Sequence, residues 1–336
     1  MAVKDIIVFS GSAHEPFAEQ VCQHLGVRLS PVNISRFSND CLQAQLLTNV
    51  RQRDVYIVQP LVPPTQDHLM ELLLMVQAAR GASADQITAV IPHYSYARSD
   101  KKDASRISVG GRLVADMLST AGVDRVLTMQ LHAPQVQSFF SVPVDQLTAM
   151  GVLARYFQEH CENSVVVSPD FGNAKSASTF ARLLGVPVAA GSKRRLGDNR
   201  VVIDTIVGDV VGKHCIVMDD EIATGGSILE LVRKLKDQGA VDASVTCTHG
   251  LFAGNALEKL SGEKFITEIV STDTVPEPAE HWPELHVLSV APLFAEAIDR
   301  IHNGKSVSKM FEGIDPVYAP DVYKRQGRDH PSGDAR

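Results

Sequence analysis

No segment of this 336-residue chain approaches the ~20 consecutive apolar residues of a membrane-spanning helix. The amino terminus, MAVKDIIVFSGSAHEP, lacks the long apolar region of a secretory signal. Both absences predict a cytoplasmic protein with no membrane partner. Basic residues do not dominate: 32 Lys and Arg stand against 39 Asp and Glu, a formal charge of -7. That balance argues against nucleic acid as a partner, because such partners call for a basic face. A local basic pocket is still allowed. Cysteine is sparse, with Cys22, Cys41, Cys161, Cys215 and Cys247 far apart and no C-x-x-C pair or Cys/His ligand spacing. Neither a disulfide framework nor a zinc site follows from that pattern, and buried reduced thiols are expected. Finally, there is no P-loop and no G-x-G-x-x-G, so the common nucleotide-binding loops are missing.

What remains is ordinary globular composition, 44% hydrophobic and 21% charged, in a length suited to roughly two domains. Short apolar runs rich in β-branched residues alternate with helical patterns. The predicted strands are 5–10, 54–60, 87–92, 125–129, 164–168, 214–218 and 243–247. Amphipathic stretches at 67–80, 110–122, 176–185 and 226–239 lie between them. In the last, Ile228, Leu231, Val232 and Leu235 recur at helical spacing and Gly239 marks the stop. Such alternation predicts an α/β fold of parallel sheets covered on both faces. A strand, polar loop, helix and strand recur in each half, which predicts domains at 1–149 and 150–312. The polar residues 313–336 are expected to form a disordered tail.

The chemistry concentrates at residues 214–231, HCIVMDDEIATGGSILEL. An apolar strand is expected to end at Asp219 and Asp220, at the carboxyl edge where open parallel sheets bind ligands. Thr224, Gly225, Gly226 and Ser227 then turn into a helix whose N-terminal amides suit a phosphate. Two glycines would let the backbone approach the anion. The carboxylates would repel phosphate and are placed for sugar hydroxyls, directly or through Mg²⁺. One Asp could simply cap a helix; a pair followed by T-G-G-S is harder to dismiss.

This stretch resembles the phosphoribosyl-diphosphate (PRPP) loop of type I phosphoribosyltransferases and of ribose-phosphate diphosphokinases. Other segments resemble the diphosphokinase family specifically: VIPHYSYARSDKKD, RVLTMQLHAPQVQSFFSVPVDQL, VVVSPDFGNAK, SKRRLGDN and SVAPLFAEAIDRIHNGKSVSKMF. The likeness runs in order from about residue 5 to residue 311. It implies two tandem type I phosphoribosyltransferase-like domains, each a mostly parallel sheet flanked by helices. It also implies transfer of a diphosphoryl group from ATP to the C1 hydroxyl of ribose 5-phosphate, giving PRPP and AMP with Mg²⁺ as cofactor.

Carried over residue by residue, the resemblance makes Lys193 and Arg195, in a polar loop, the catalytic cations. Arg98 and Asp100 become ATP contacts, and His132 and Asp170 metal contacts. Phe37 matches an aromatic that reaches the adenine bound by a neighbouring subunit, which implies a homo-oligomer, dimer-based and as large as a hexamer. Arg51 and Ser306–Ser308 resemble a phosphate and ADP regulatory site. The pattern departs at Asn39, Asp40 and Cys41, at Ser99, at Gln130, at Ser176 and at Ala223. These departures cluster on the nucleotide side and imply retained catalysis with altered adenine recognition or regulation. Two alternatives stay open: a weakly active regulatory homologue, and a phosphoribosyltransferase that consumes PRPP.

Overall fold

In a computed structural model of the chain, residues 5–197, 200–312 and 314 are described, excepting the side chains of 193–197, 200–202 and 204. The first half runs β1 (Ile6–Ser10), α1 (Glu15–Leu25), β2 (Val32–Arg36), β3 (Leu42–Leu46), β4 (Asp54–Val58), α2 (Thr65–Gly81), β5 (Gln86–Ile91), α3 (Gly110–Ala121), β6 (Arg125–Met129) and β7 (Val144–Leu147). The second runs α4 (Met150–Phe157), β8 (Ser164–Ser168), α5 (Ala174–Leu184), β9 (Val188–Gly197), β10 (Arg200–Val207) and β11 (His214–Ile222). It continues through α6 (Gly226–Asp237), β12 (Asp242–Gly250), α7 (Ala256–Ser261), β13 (Ile266–Thr272), β14 (Leu285–Leu288) and α8 (Ala291–His302).

The strands order as β1-β4-β5-β6-β7 in one sheet and β10-β9-β8-β11-β12-β13-β14 in the other, all parallel except the β9–β10 pair. Their central strands are mostly apolar and buried nearly throughout because both faces are covered, as parallel sheets require. Successive residues serve opposite layers. Tyr56 and Val58 of β4, with Ile216 and Met218 of β11, face a core shared by the two halves. Val55 and Ile57 face a separate first-half core, and Cys215 and Val217 a second-half core. Helices α1, α4, α5 and α8 fill the shared layer, where Phe17 and Phe294 meet edge to face at 5.4 Å.

The two sheets differ in one way that matters for function. In the first, the chain winds steadily from β1 to β7. In the second, it winds outward from β8 to β10 on one side and from β11 to β14 on the other. A reversal of this kind opens a crevice between the carboxyl ends of the two strands where winding changes direction, here β8 and β11.

Three expectations need correcting. Residues 193–197 were expected in a loop; their backbone continues β9, paired with β10. Strand β11 was expected to stop at Met218; it extends to Ile222 through all three acids. The β2–β3 hairpin, β7, β10, β13 and β14 were not among the predicted strands. The tail expected to be disordered lies, apart from Ile314, outside the described residues.

Candidate active site at the sheet crevice

Strand β8 pairs with β11 only as far as Val217, whereas β12 stays paired to Ile222. Asp219, Asp220 and Glu221 therefore sit on a strand held from one side, with the crevice on the other. Asp170 lies two residues past β8, its carboxylate accepting from the Asn173 amide at 3.1 Å. Asn173 Nδ2 reaches Asp219 Oδ1 at 3.5 Å, tying the two strand ends together.

The acids do not ionise alike. Burial, then the neighbouring Asp220 charge, with Asp170 adding to it, raise the Asp219 carboxyl well above the usual range. Asp220 goes the other way: burial acts to raise it, but its bonds to His132 and Asp219 outweigh that and lower it. Glu221 is likewise lowered, burial being outweighed by the hydrogen bond and charge of His93 and by Arg98. The carboxyl of Asp219 is thus shifted upward and those of its two neighbours downward.

Beyond Ile222 the chain turns through Ala223 and Thr224 into α6. Gly225 is the N-cap at φ 72°, and no side chain caps this helix. The two glycines play different parts, which corrects the expectation that both admit an anion. A Cβ on Gly225 would stand 3.2 Å from Leu260 Cγ, so Gly225 is there for its positive φ and its packing. Around Gly226 the nearest side-chain atom is Thr224 Oγ1 at 3.9 Å, so the close approach is available there. Thr224 and Gly226 are exposed and Ser227 is half-buried.

The first half closes the other side of the crevice. His132 Nδ1 lies 2.6 Å from Asp220 Oδ2, and this bond, against burial, raises the His132 pKa. His93 and Arg98 each reach Glu221 at 3.1 Å. His249 Nε2 donates to the Gln130 carbonyl at 3.1 Å, and burial, aided by His93, lowers the His249 pKa to about 4. The positions of Glu221, His93 and His249 were not read from the sequence. The third acid in D-D-E was the available signal, since a buried carboxylate requires partners.

Residues assigned to the nucleotide lie around this core. Arg98 ends a 3-10 turn, Ser95–Arg98, with 53% of its side chain exposed. Asp100 accepts from Gln135 Nε2. Phe37 is 52% exposed near the turn of the β2–β3 hairpin, outside both sheets. The backbones of Lys193 and Arg195 pair with Ile203 and Val201, while their side chains lie outside the described residues. Ser306, Val307 and Ser308 line a cavity of about 600 Å³ with Asp145 and Lys175. Arg51 is not in that lining but exposed in the turn before β4.

Among the described residues, no group of three or more His, Cys, Asp or Glu side chains forms a metal cage. Mg²⁺ does not need one: it usually takes one or two carboxylates and completes its shell with phosphate oxygens and water. Burial first, and then the charges of Asp220 and Asp170, raise the Asp219 carboxyl, and a divalent cation beside these acids would offset both effects. The donor set fits that ion.

Fold and crevice together define a protein of two tandem type I phosphoribosyltransferase-like α/β domains. The sequence narrows this further. Residues 6–122 match the N-terminal domain of ribose phosphate pyrophosphokinase, and residues 198–312 a phosphoribosyl synthetase-associated domain. A ribose-phosphate pyrophosphokinase of Deinococcus radiodurans is 47% identical over 91% of this chain and 98% of its own length. A Streptomyces coelicolor protein provisionally given the same name is 59% identical over 92% of this chain and 98% of its own. The crystal structure of phosphoribosylpyrophosphate synthetase from Mycobacterium smegmatis superposes with a TM-score of 0.84 at 39% identity, covering 90% of this chain and 100% of that one. The chain belongs to the ribose-phosphate pyrophosphokinase family.

Proposed function

We propose that this chain is a working ribose-phosphate pyrophosphokinase that makes PRPP and AMP from ATP and ribose 5-phosphate. The observation that carries the reading is the acidic end of β11 running into an uncapped, glycine-led helix at the point where sheet winding reverses. The amides of Gly226 and Ser227, with the Thr224 and Ser227 hydroxyls, hold the 5-phosphate. Asp219 and Asp220 hold the ribose hydroxyls and keep the sugar oriented. Its C1 oxygen then attacks the β-phosphorus of ATP, the bond from that phosphorus to the AMP oxygen breaks, and the C1 hydroxyl gives up its proton. Such transfers depend on positioning and charge neutralisation. Arg98 and Asp100 contact the ATP, and Lys193 and Arg195 supply charge to the transferring group. His132 and Asp170 would hold Mg²⁺, which would offset negative charge on the ATP phosphates.

Phe37 offers an exposed ring to the nucleotide of a neighbouring copy, so the assembly is a dimer-based homo-oligomer reaching up to a hexamer. We place the domain boundary at residues 149 and 150, between β7 and α4. No described helix is long and apolar enough to cross a membrane, and the buried thiols Cys22, Cys215 and Cys247 suit the reducing cytoplasm. Phosphorus NMR of a reaction with ATP, ribose 5-phosphate and Mg²⁺ tests the assignment. PRPP and AMP should appear together. Diphosphate released only when PRPP and a free base are supplied would indicate a transferase, and no turnover would indicate a regulatory homologue.

A further inference from the structure

Glu221 follows the carboxylate pair on β11, and the sugar-phosphate chemistry makes no use of it. Its side chain is 7% exposed, yet both oxygens are engaged by the first half. Oε2 lies 3.1 Å from His93 Nε2, and Oε1 lies 3.1 Å from Arg98 Nη1. His93 is itself buried, with Nδ1 3.2 Å from the Leu61 carbonyl. Acceptors thus stand on both sides of the imidazole and fix the orientation of its ring. Its ring packs edge-on against His249 at 4.7 Å, and His249 is pinned to the Gln130 carbonyl. Glu221 is therefore held rigidly from one side by buried groups.

Arg98 is the opposite case. More than half of its side chain is exposed, and Glu221 Oε1 takes one nitrogen. A guanidinium has five N–H donors in a fixed fork. Tethering one arm sets the plane of the fork and leaves its other donors for an anion. An untethered arginine would lose rotamer freedom on meeting that anion, and the tether removes part of this loss beforehand.

We infer that Glu221 is a positioning residue: it aims Arg98 at the ATP phosphates and makes that aim depend on how the two halves are docked. The inference rests on the reading of Arg98 as an ATP contact. It also places the nucleotide tether one residue from the sugar-binding acids, so the two substrate sites share one strand.

Steady-state kinetics on Glu221→Ala, Glu221→Gln, Arg98→Ala and the Glu221→Ala/Arg98→Ala double variant test it. Glu221→Ala should raise KM for ATP about tenfold while KM for ribose 5-phosphate stays within about twofold. Glu221→Gln keeps an oxygen that can accept from Arg98 and should recover part of the loss. In the Arg98→Ala background, Glu221→Ala should change KM for ATP by less than about twofold, because its route of action is gone. Additive effects in the double variant, or an equal rise in both KM values, would overturn the inference. If Arg98→Ala raises KM for ATP and neither Glu221 variant does, the tether alone is refuted. If Arg98→Ala leaves KM for ATP unchanged, the ATP role of Arg98 falls and the inference with it.

Discussion

His132 Nδ1 and Asp220 Oδ2 are 2.6 Å apart, so a side chain from the first half of the chain is bonded to the carboxylate pair of the second. The bond raises the histidine pKa and lowers that of the aspartate. Asp219, buried and beside the Asp220 charge, is pushed up instead. A site assembled in this way needs both halves, and the shared core beneath it, with Phe17 against Phe294, keeps them docked.

The two kinds of charge in the site should fail differently. Lys193→Ala should lower kcat by about a hundredfold or more with ribose 5-phosphate binding nearly intact, since the contact proposed for it is one made in the transition state. Asp220→Ala should weaken sugar binding. Calorimetric titration of ribose 5-phosphate into each variant, beside turnover, makes the comparison; equal loss of binding in both would mean the roles are misassigned.

The glycines separate stability from binding. Gly225→Ala forces a Cβ into positive φ and against Leu260, which should destabilise the fold by about 1–2 kcal/mol. Gly226→Ala should cost little stability but raise KM for ribose 5-phosphate, because its added methyl would enter the open space where the phosphate is proposed to bind. Thermal unfolding and kinetics on the two variants should show that crossover.

His249 makes acid stability measurable. Its pKa is lowered from 6.5 to about 4, so the folded protein keeps the ring neutral while the unfolded chain protonates it. The stabilising contribution is complete above pH 6.5 and disappears as pH falls toward 4, on the order of 3 kcal/mol in all. Urea unfolding between pH 4.5 and 7.5 should therefore be less steeply pH-dependent in His249→Gln than in the parent.

Chelation of divalent cations should abolish AMP formation, and added Mg²⁺ should restore it. Asp170→Asn should raise the Mg²⁺ concentration needed for half-maximal rate by about tenfold or more. A variant with an unchanged Mg²⁺ requirement would remove Asp170 from the metal site.

The central strands were legible because burial on both faces leaves a pure signal: SVVVS of β8 is buried at every position. The β2–β3 hairpin was not, since VNISR and LQAQL are half-exposed and mix polar with apolar residues. The extent of β11 was misread for a physical reason: acids are poor strand formers, and only tertiary partners keep three of them in one. Asp219, Asp220 and the T-G-G-S turn stood out locally. Glu221 did not, because His93 and Arg98 lie 128 and 123 residues away in sequence and no local pattern joins them.

The most direct test is a crystal structure of the protein with ribose 5-phosphate bound. The phosphate should sit within about 3 Å of the amide nitrogens opening α6, with the ribose hydroxyls turned toward Asp219 and Asp220. A phosphate bound elsewhere, with the amides of Gly226 and Ser227 facing only solvent, would contradict the account.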